Sequence, residues 1–139
     1  MLCLLGDIKK KYSQLRALKI EAVSLIEVIE HVEYYELDAV IENVFGFMSP
    51  SFVVMTTPNR DFNKFFVSLR ENRFRDDDHK FEFSQEEFEI FCISVCHKYG
   101  YSVCLVCLCE LTSFRKVDFE GTKFKGSFAD KIKSSCTEG

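Results

Sequence analysis

Residues 24–32 read Ser-Leu-Ile-Glu-Val-Ile-Glu-His-Val, and the fold follows from how this stretch is parsed. The apolar run Ala22 to Ile26 reads as a buried strand that delivers Glu27, with Glu30 and His31 three and four positions later. If the chain turns helical at Glu27, positions i, i+3 and i+4 share one face. Two carboxylates and an imidazole then point at one spot. Open α/β sheets bind ligands outside the carboxyl ends of their strands, which is where this cluster falls.

Downstream the period changes. Leu37, Val40, Ile41 and Val44 are spaced i, i+3, i+4, i+7, which predicts an amphipathic helix from about Tyr34 to Phe45. Gly46 is a suitable helix stop and Pro50 prevents resumption. Phe52 to Thr57 is a second buried-strand candidate, closed by Pro58-Asn59. Strand, helix, strand implies a parallel pair joined by a crossover. Upstream, Asp7 to Lys19 predicts a terminal helix, with Tyr12, Leu15 and Leu18 on one face and Lys9, Lys10, Lys11 and Arg16 on a solvated one.

From Arg60 to Phe83 periodicity fades, and a loop this long inside a domain is usually functional or disordered. Phe62, Phe65 and Phe66 are interleaved there with Lys64, Arg70, Arg73 and Arg75, followed by Asp76-Asp77-Asp78-His79. Ser84-Gln85-Glu86-Glu87 is a capping box, with Ser84 as N-cap and Glu87 at N3. The helix it opens places Phe88, Phe91, Cys92, Val95 and Tyr99 on one face and ends at Gly100. Tyr101 to Cys109 is a third strand candidate. Beyond Glu110 the polar chain is expected to be loosely ordered.

Composition narrows the function classes. A chain of 139 residues is sized for one domain, and 47% apolar with 29% charged residues is globular rather than disordered. A net charge of −4 advertises no global nucleic-acid field, so any such contact must be local. Seven cysteines, an odd number with several in apolar runs, favour reduced thiols in a cytosolic or nuclear protein, and a cytoplasmic setting is the expectation. No run approaches membrane-spanning length.

Glu27, Glu30, His31 and, across the loop, His79 form a two-carboxylate, two-imidazole set. Carboxylates suit hard ions and imidazole suits transition metals, so the mixture points to Mn²⁺, Fe²⁺, Co²⁺ or Zn²⁺, with Mg²⁺ also admissible. It is neither H-E-x-x-H nor the Glu-x-x-His pattern of di-iron bundles. The competing reading on spacing alone makes Glu30 a solvated helix residue and His31 a first-turn histidine without a ligand. Cys104, Cys107 and Cys109, with Cys92, Cys96 and His97, do not make a zinc site. Cys104 and Cys107 would face opposite sides of a strand, which favours buried free thiols. His97 near a helix end complements the dipole.

Four segments then carry a resemblance: I-E-V-I-E-H-V at 26–32, F-G-F-M-S-P-S at 45–51, V-V-M-T-T-P-N at 53–59 and D-H-K-F-E-F at 78–83. In this order they resemble the small-RNA 3′-terminal 2′-O-methyltransferases, which modify piRNAs, microRNAs and siRNAs. The resemblance runs from about Ile20 to Val103. It implies an α/β fold, namely the C-terminal half of a Rossmann-like S-adenosylmethionine-dependent methyltransferase sheet with flanking helices. It also implies an enzyme in which Glu27, Glu30, His31 and His79 bind Mg²⁺ or Mn²⁺, and the ion grips the 2′ and 3′ hydroxyls of a terminal ribose. The attacking 2′ oxygen takes the methyl group of S-adenosylmethionine, with His31 or His79 as a candidate for proton removal. Arg70, Arg73, Arg75 and Lys80 are the expected phosphate contacts of a single-stranded small RNA. An Argonaute or Piwi partner is implied by the family alone.

The departures matter as much. Such enzymes hold the cofactor on a glycine-rich turn after the first strand. This chain has six Gly, none in a G-x-G arrangement. Nothing before Ile20 resembles the cofactor half, and the pattern is lost after Val103. The expected organisation is an N-terminal segment unlike the family at 1–19, a partial methyltransferase domain with a metal site at 20–109, and a tail at 110–139. The chain reads as a truncated or alternatively spliced member, or an incomplete gene model, and weak or absent S-adenosylmethionine binding is expected. The alternative reading is a catalytically incomplete fragment that binds metal or RNA 3′ ends, or acts only through association.

Overall fold

A short helix α1 (Ser13–Ala17) precedes strand β1 (Ala22–Ile26), and a helix α2 (Leu37–Ile41) then leads to strand β2 (Phe52–Thr56) in the computed structural model. The structure describes residues 5–66, 74–106 and 114–117. β1 and β2 pair in parallel, in a register that runs from Ala22 opposite Phe52 to Ile26 opposite Thr56. The expected strand–helix–parallel strand unit is present. The chain divides into two compact units, Met1–Phe88 and Glu89–Gly139.

In the first unit the apolar period does its expected work. Leu37, Val40, Ile41 and Val44 are all buried, joined in the core by Phe45, Leu25, Ile29 and Phe83. The helix does not stop at Gly46. After α2 its turns widen into a π-helical segment, Glu42–Met48, with the Ser49 N–H donating to the Val44 carbonyl at 3.0 Å. Gly46 tolerates that conformation, whereas Pro50, which has no N–H, cannot extend it. The stop falls at Ser49, in the left-handed region at φ 47°.

The N-terminal segment is tied to this helix. Asn43, fully buried, donates its side-chain amide to the carbonyls of Ile8 (2.6 Å) and Lys10 (3.0 Å). Lys9 pairs with Glu36 at 2.8 Å and Lys11 with Glu42. Two of the three lysines assigned to a solvated face are therefore ion-paired, and α1 itself buries nothing. The strands differ from expectation too. Leu25 is the one buried residue of β1, while Ile26 and Phe52 are 49% and 47% exposed. Only two strands pair in this sheet, so the outward side chains have no third strand over them among the described residues.

Helix α3 (Gln85–Tyr99) opens with the predicted capping box made in both directions. The Glu87 N–H donates to Ser84 Oγ at 3.2 Å, and the Ser84 N–H donates to the Glu87 carboxylate at 2.8 Å. It closes at Gly100, whose φ of 74° lets the Tyr101 N–H turn back onto the Cys96 carbonyl at 2.9 Å. In the second unit, β3 (Val103–Val106) pairs antiparallel with β4 (Phe114–Val117). Part of the stretch expected to be loosely ordered beyond Glu110 is thus a strand.

Candidate metal centre

β1 ends at Ile26, and the next residue decides how the site is built. Glu27 lies in the left-handed region at φ 51°, a conformation a non-glycine residue adopts only where its surroundings enforce it. Its N–H donates to the Thr56 carbonyl at 3.2 Å, and its carboxylate accepts from Thr56 Oγ1 at 2.8 Å. A helix does not begin at Glu27, so the predicted face shared by 27, 30 and 31 is not formed. Instead, a single 3-10 turn spans Ile29–His31. That tight turn drives Ile29 and Glu30 inward, both at 0% exposure. The reading of Glu30 as a solvated residue is corrected.

The loop 74–83 closes over the turn. The Lys80 N–H donates to the Glu30 carbonyl at 2.8 Å. Asp76 accepts from the Asp78 N–H at its side chain (2.9 Å) and from the His79 N–H at its carbonyl (3.2 Å), which presents Asp78 and His79 on a fixed corner. The His31 and His79 rings meet edge to face, with centroids 5.0 Å apart. One donor atom from each of Glu30, His31 and His79 lies within 4.8 Å of the other two.

Each imidazole also has a carboxylate. His31 Nδ1 is 3.1 Å from Asp78 Oδ2, and His79 Nδ1 is 2.6 Å from Glu82 Oε1. Glu82 additionally accepts from the Arg75 N–H at 2.6 Å and from the Asn63 side-chain amide. Burial alone would push the Glu82 carboxyl up. The bonds from His79, Asn63 and the Arg75 amide outweigh it and hold the group below the usual carboxylate range. Glu30 is the opposite case: neither carboxylate oxygen has a hydrogen-bond partner among the described residues. A buried polar group left unpaired is costly, and two imidazoles beside a carboxylate are a donor set that a divalent cation satisfies.

Of the expected ligands, Glu30, His31 and His79 converge, while the Glu27 carboxylate is exposed and engaged by Thr56 outside that group. Among the expected phosphate contacts, Arg70 and Arg73 lie outside the described residues. The Arg75 guanidinium sits 4.9 Å over the Phe66 ring, and Lys80 Nζ is 3.6 Å from Asp78 Oδ1. Sequence reasoning missed Glu82, Asp78 and Asn63. The signal available was the i, i+3 spacing of His79 and Glu82. Cys92 and Cys96 are buried free thiols, as expected, and burial pushes them up to about 12 and about 11; Cys104 is a free thiol too, but exposed, against the expectation of burial. Cys107 and Cys109 lie outside the described residues.

No protein-family model matches the chain. The small RNA 2′-O-methyltransferase of Tetrahymena thermophila is 42% identical over 119 residues, which cover 85% of this chain and 27% of that protein. The protein of that name in Drosophila melanogaster is 43% identical over 97 residues, covering 68% of this chain and 24% of its own length. Among solved structures, the methyltransferase domain of bacterial CtHen1 aligns with a TM-score of 0.55 at 29% identity, over 70% of this chain and 48% of that one. The small RNA methyltransferase HEN1 aligns with a TM-score of 0.67 over 86% of this chain and 16% of its own; at 23% identity it supports the fold alone. The parallel pair and its helices are accordingly part of a Rossmann-like methyltransferase fold. The chain spans about a quarter of the length of the curated relatives it matches, and over that span it is similar to the small RNA 2′-O-methyltransferases.

Proposed function

We propose that this chain carries the metal-dependent ribose clamp of a small RNA 3′-terminal 2′-O-methyltransferase. The observation that supports it is Glu30, fully buried with both carboxylate oxygens unpartnered, meeting His31 and His79 within 4.8 Å. Those three side chains would hold Mg²⁺ or Mn²⁺, with Glu27 a candidate fourth ligand three residues upstream. A bound divalent cation supplies positive charge that lowers the pKa of a coordinated hydroxyl, which suits activation of a ribose 2′-OH. Glu30 contributes the charge that binds the ion, and the 3-10 turn and the loop corner orient the imidazoles. A ring nitrogen committed to an ion is not free to take a proton, so His31 and His79 bind and orient rather than act as bases. Lys80 and Arg75 lie in the loop that supplies His79, where a terminal phosphate of single-stranded RNA would be steered.

The methyl donor of the whole protein's reaction would be S-adenosylmethionine. These 139 residues contain no G-x-G turn, which favours a second reading beside the first: a clamp that binds 3′ ends without transferring a methyl group by itself. Titration with Mn²⁺, followed by electron paramagnetic resonance, tests the clamp. Stoichiometric binding is expected, with tighter binding of an oligoribonucleotide ending in a 2′,3′-diol than of its 3′-phosphate counterpart. No Mn²⁺ binding, or equal affinity for the two ends, would sink the proposal. Labelled methyl transfer to the diol RNA separates the two readings.

A further inference from the structure

We infer that Glu82 is a positioning residue of this centre, fixing His79 in the tautomer that leaves Nε2 for a metal ion. The inference rests on the proposed metal-binding reading and goes beyond it to a residue that contacts no ligand. Glu82 and His79 form an enclosed carboxylate–imidazole pair, with side chains 0% and 6% exposed and 2.6 Å between Oε1 and Nδ1. An ionised carboxylate is an acceptor with no proton to give, so Nδ1 is the donor, and in the neutral imidazole that leaves the lone pair on Nε2. The carboxylate cannot rotate away, because Asn63 holds one oxygen and the Arg75 N–H the other. A ligating imidazole that donates its second N–H to a carboxylate has its ring direction set and its basicity raised.

Were the pair only a structural ion pair, a neutral acceptor at position 82 would leave metal affinity unchanged. As a positioning residue, Glu82→Gln should weaken Mn²⁺ binding by roughly 10–100-fold, the usual cost of losing an outer carboxylate. The experiment compares Mn²⁺ titrations of wild type and Glu82→Gln, with the His79 tautomer read in metal-free wild type by long-range ¹H–¹⁵N correlation. The expected spectrum shows Nδ1–H with unprotonated Nε2. An Nε2–H tautomer overturns the inference whatever the metal result, and keeps it testable if Glu82→Gln fails to fold. Wild type that binds no Mn²⁺ overturns the metal reading and this inference together. Mn²⁺ binding that is equal in wild type and Glu82→Gln overturns the inference alone.

Discussion

His31 and His79 make the same contact, Nδ1 to a carboxylate, in two different media. The His79–Glu82 pair is sealed, while the His31 side chain is 39% exposed and its partner Asp78 72%. Water shares the bonds of the second pair and is excluded from those of the first. Attraction between charges scales inversely with the effective dielectric, and an exposed pair gains little after screening and side-chain ordering. The contrast teaches that one half of the candidate centre is built as fixed architecture and the other as an adjustable edge. An ion or a ribose would meet a rigid imidazole on one side and a yielding one on the other.

The largest test of this contrast is a pair of alanine substitutions in metal-free protein. His79→Ala strands Glu82 in the interior, and breaking a buried pair by removing one partner typically costs ~3–5 kcal/mol. His31→Ala removes an exposed contact and should cost no more than ~1 kcal/mol. Urea unfolding midpoints decide the matter, and equal losses would break the distinction between the halves. Next in size is Glu30→Met, with the opposite sign. It replaces an unpartnered buried carboxylate by an apolar side chain of similar length, so metal-free protein should gain ~1–3 kcal/mol. The same variant should lose any stabilisation by Mn²⁺, which for wild type at 100-fold excess over Kd would be ~2.7 kcal/mol. A metal-dependent melting shift that survives Glu30→Met would remove Glu30 from the centre.

These residues also show what was legible in the sequence. The strand–helix–strand unit could be read because the apolar positions 37, 40, 41 and 44 repeat at the helical period, and local period dictates which face is buried. The Ser84–Glu87 box could be read because capping depends on residues three apart. His79 could be grouped with Glu30 and His31 by ligand chemistry, but only the family resemblance gave a reason for them to converge, since no local rule brings residues nearly fifty positions apart together. The burial of Glu30 was not legible, because it follows from a left-handed turn at Glu27 held by Thr56, a partner on another strand. Nor was the helix end: a glycine permits a stop but does not impose one, and the chain ran on to Ser49. Glu82 escaped notice because its role depends on Asn63 and Arg75, which have no periodic relation to it.

A third carboxylate lies between the two extremes. Glu87 is half exposed, accepts from the Ser84 N–H and pairs with Arg60 at 2.9 Å. Ser84→Ala removes the hydroxyl that accepts the Glu87 N–H and should destabilise the protein by ~1 kcal/mol, a typical N-cap loss. The bond from the Ser84 N–H holds the Glu87 carboxyl below its ordinary 4.5 against the opposing effect of burial, aided by Arg60 and the Ser84 hydroxyl. A lowered folded pKa means that this contribution is present above about 4.5 and is lost as pH falls through the folded value. Glu87→Gln should therefore flatten the acid limb of the stability profile, whereas Ser84→Ala, which keeps the larger backbone bond and loses only the smaller side-chain one, should flatten it less. An unchanged acid limb in Glu87→Gln would place the titrating group elsewhere.

The smallest expected effect is the sharpest check on the exposed half. Asp78→Asn keeps an acceptor oxygen for His31 Nδ1 and removes the charge, which Asp78 also shares with Lys80 Nζ at 3.6 Å. At that exposure screening leaves little to lose, so stability should change by less than ~0.5 kcal/mol. The change should shrink further between 0.05 and 0.5 M salt, because the Debye length falls from over ~10 Å to under ~5 Å across that range. Mn²⁺ affinity should fall less for Asp78→Asn than for Glu82→Gln, since a mobile, hydrated carboxylate neither fixes a ring nor raises its basicity as a sealed one does. A loss in Asp78→Asn equal to that in Glu82→Gln, and insensitive to salt, would show that the loop corner at Asp76–His79 closes over His31 when the ion binds. The two halves would then differ in the metal-free protein alone.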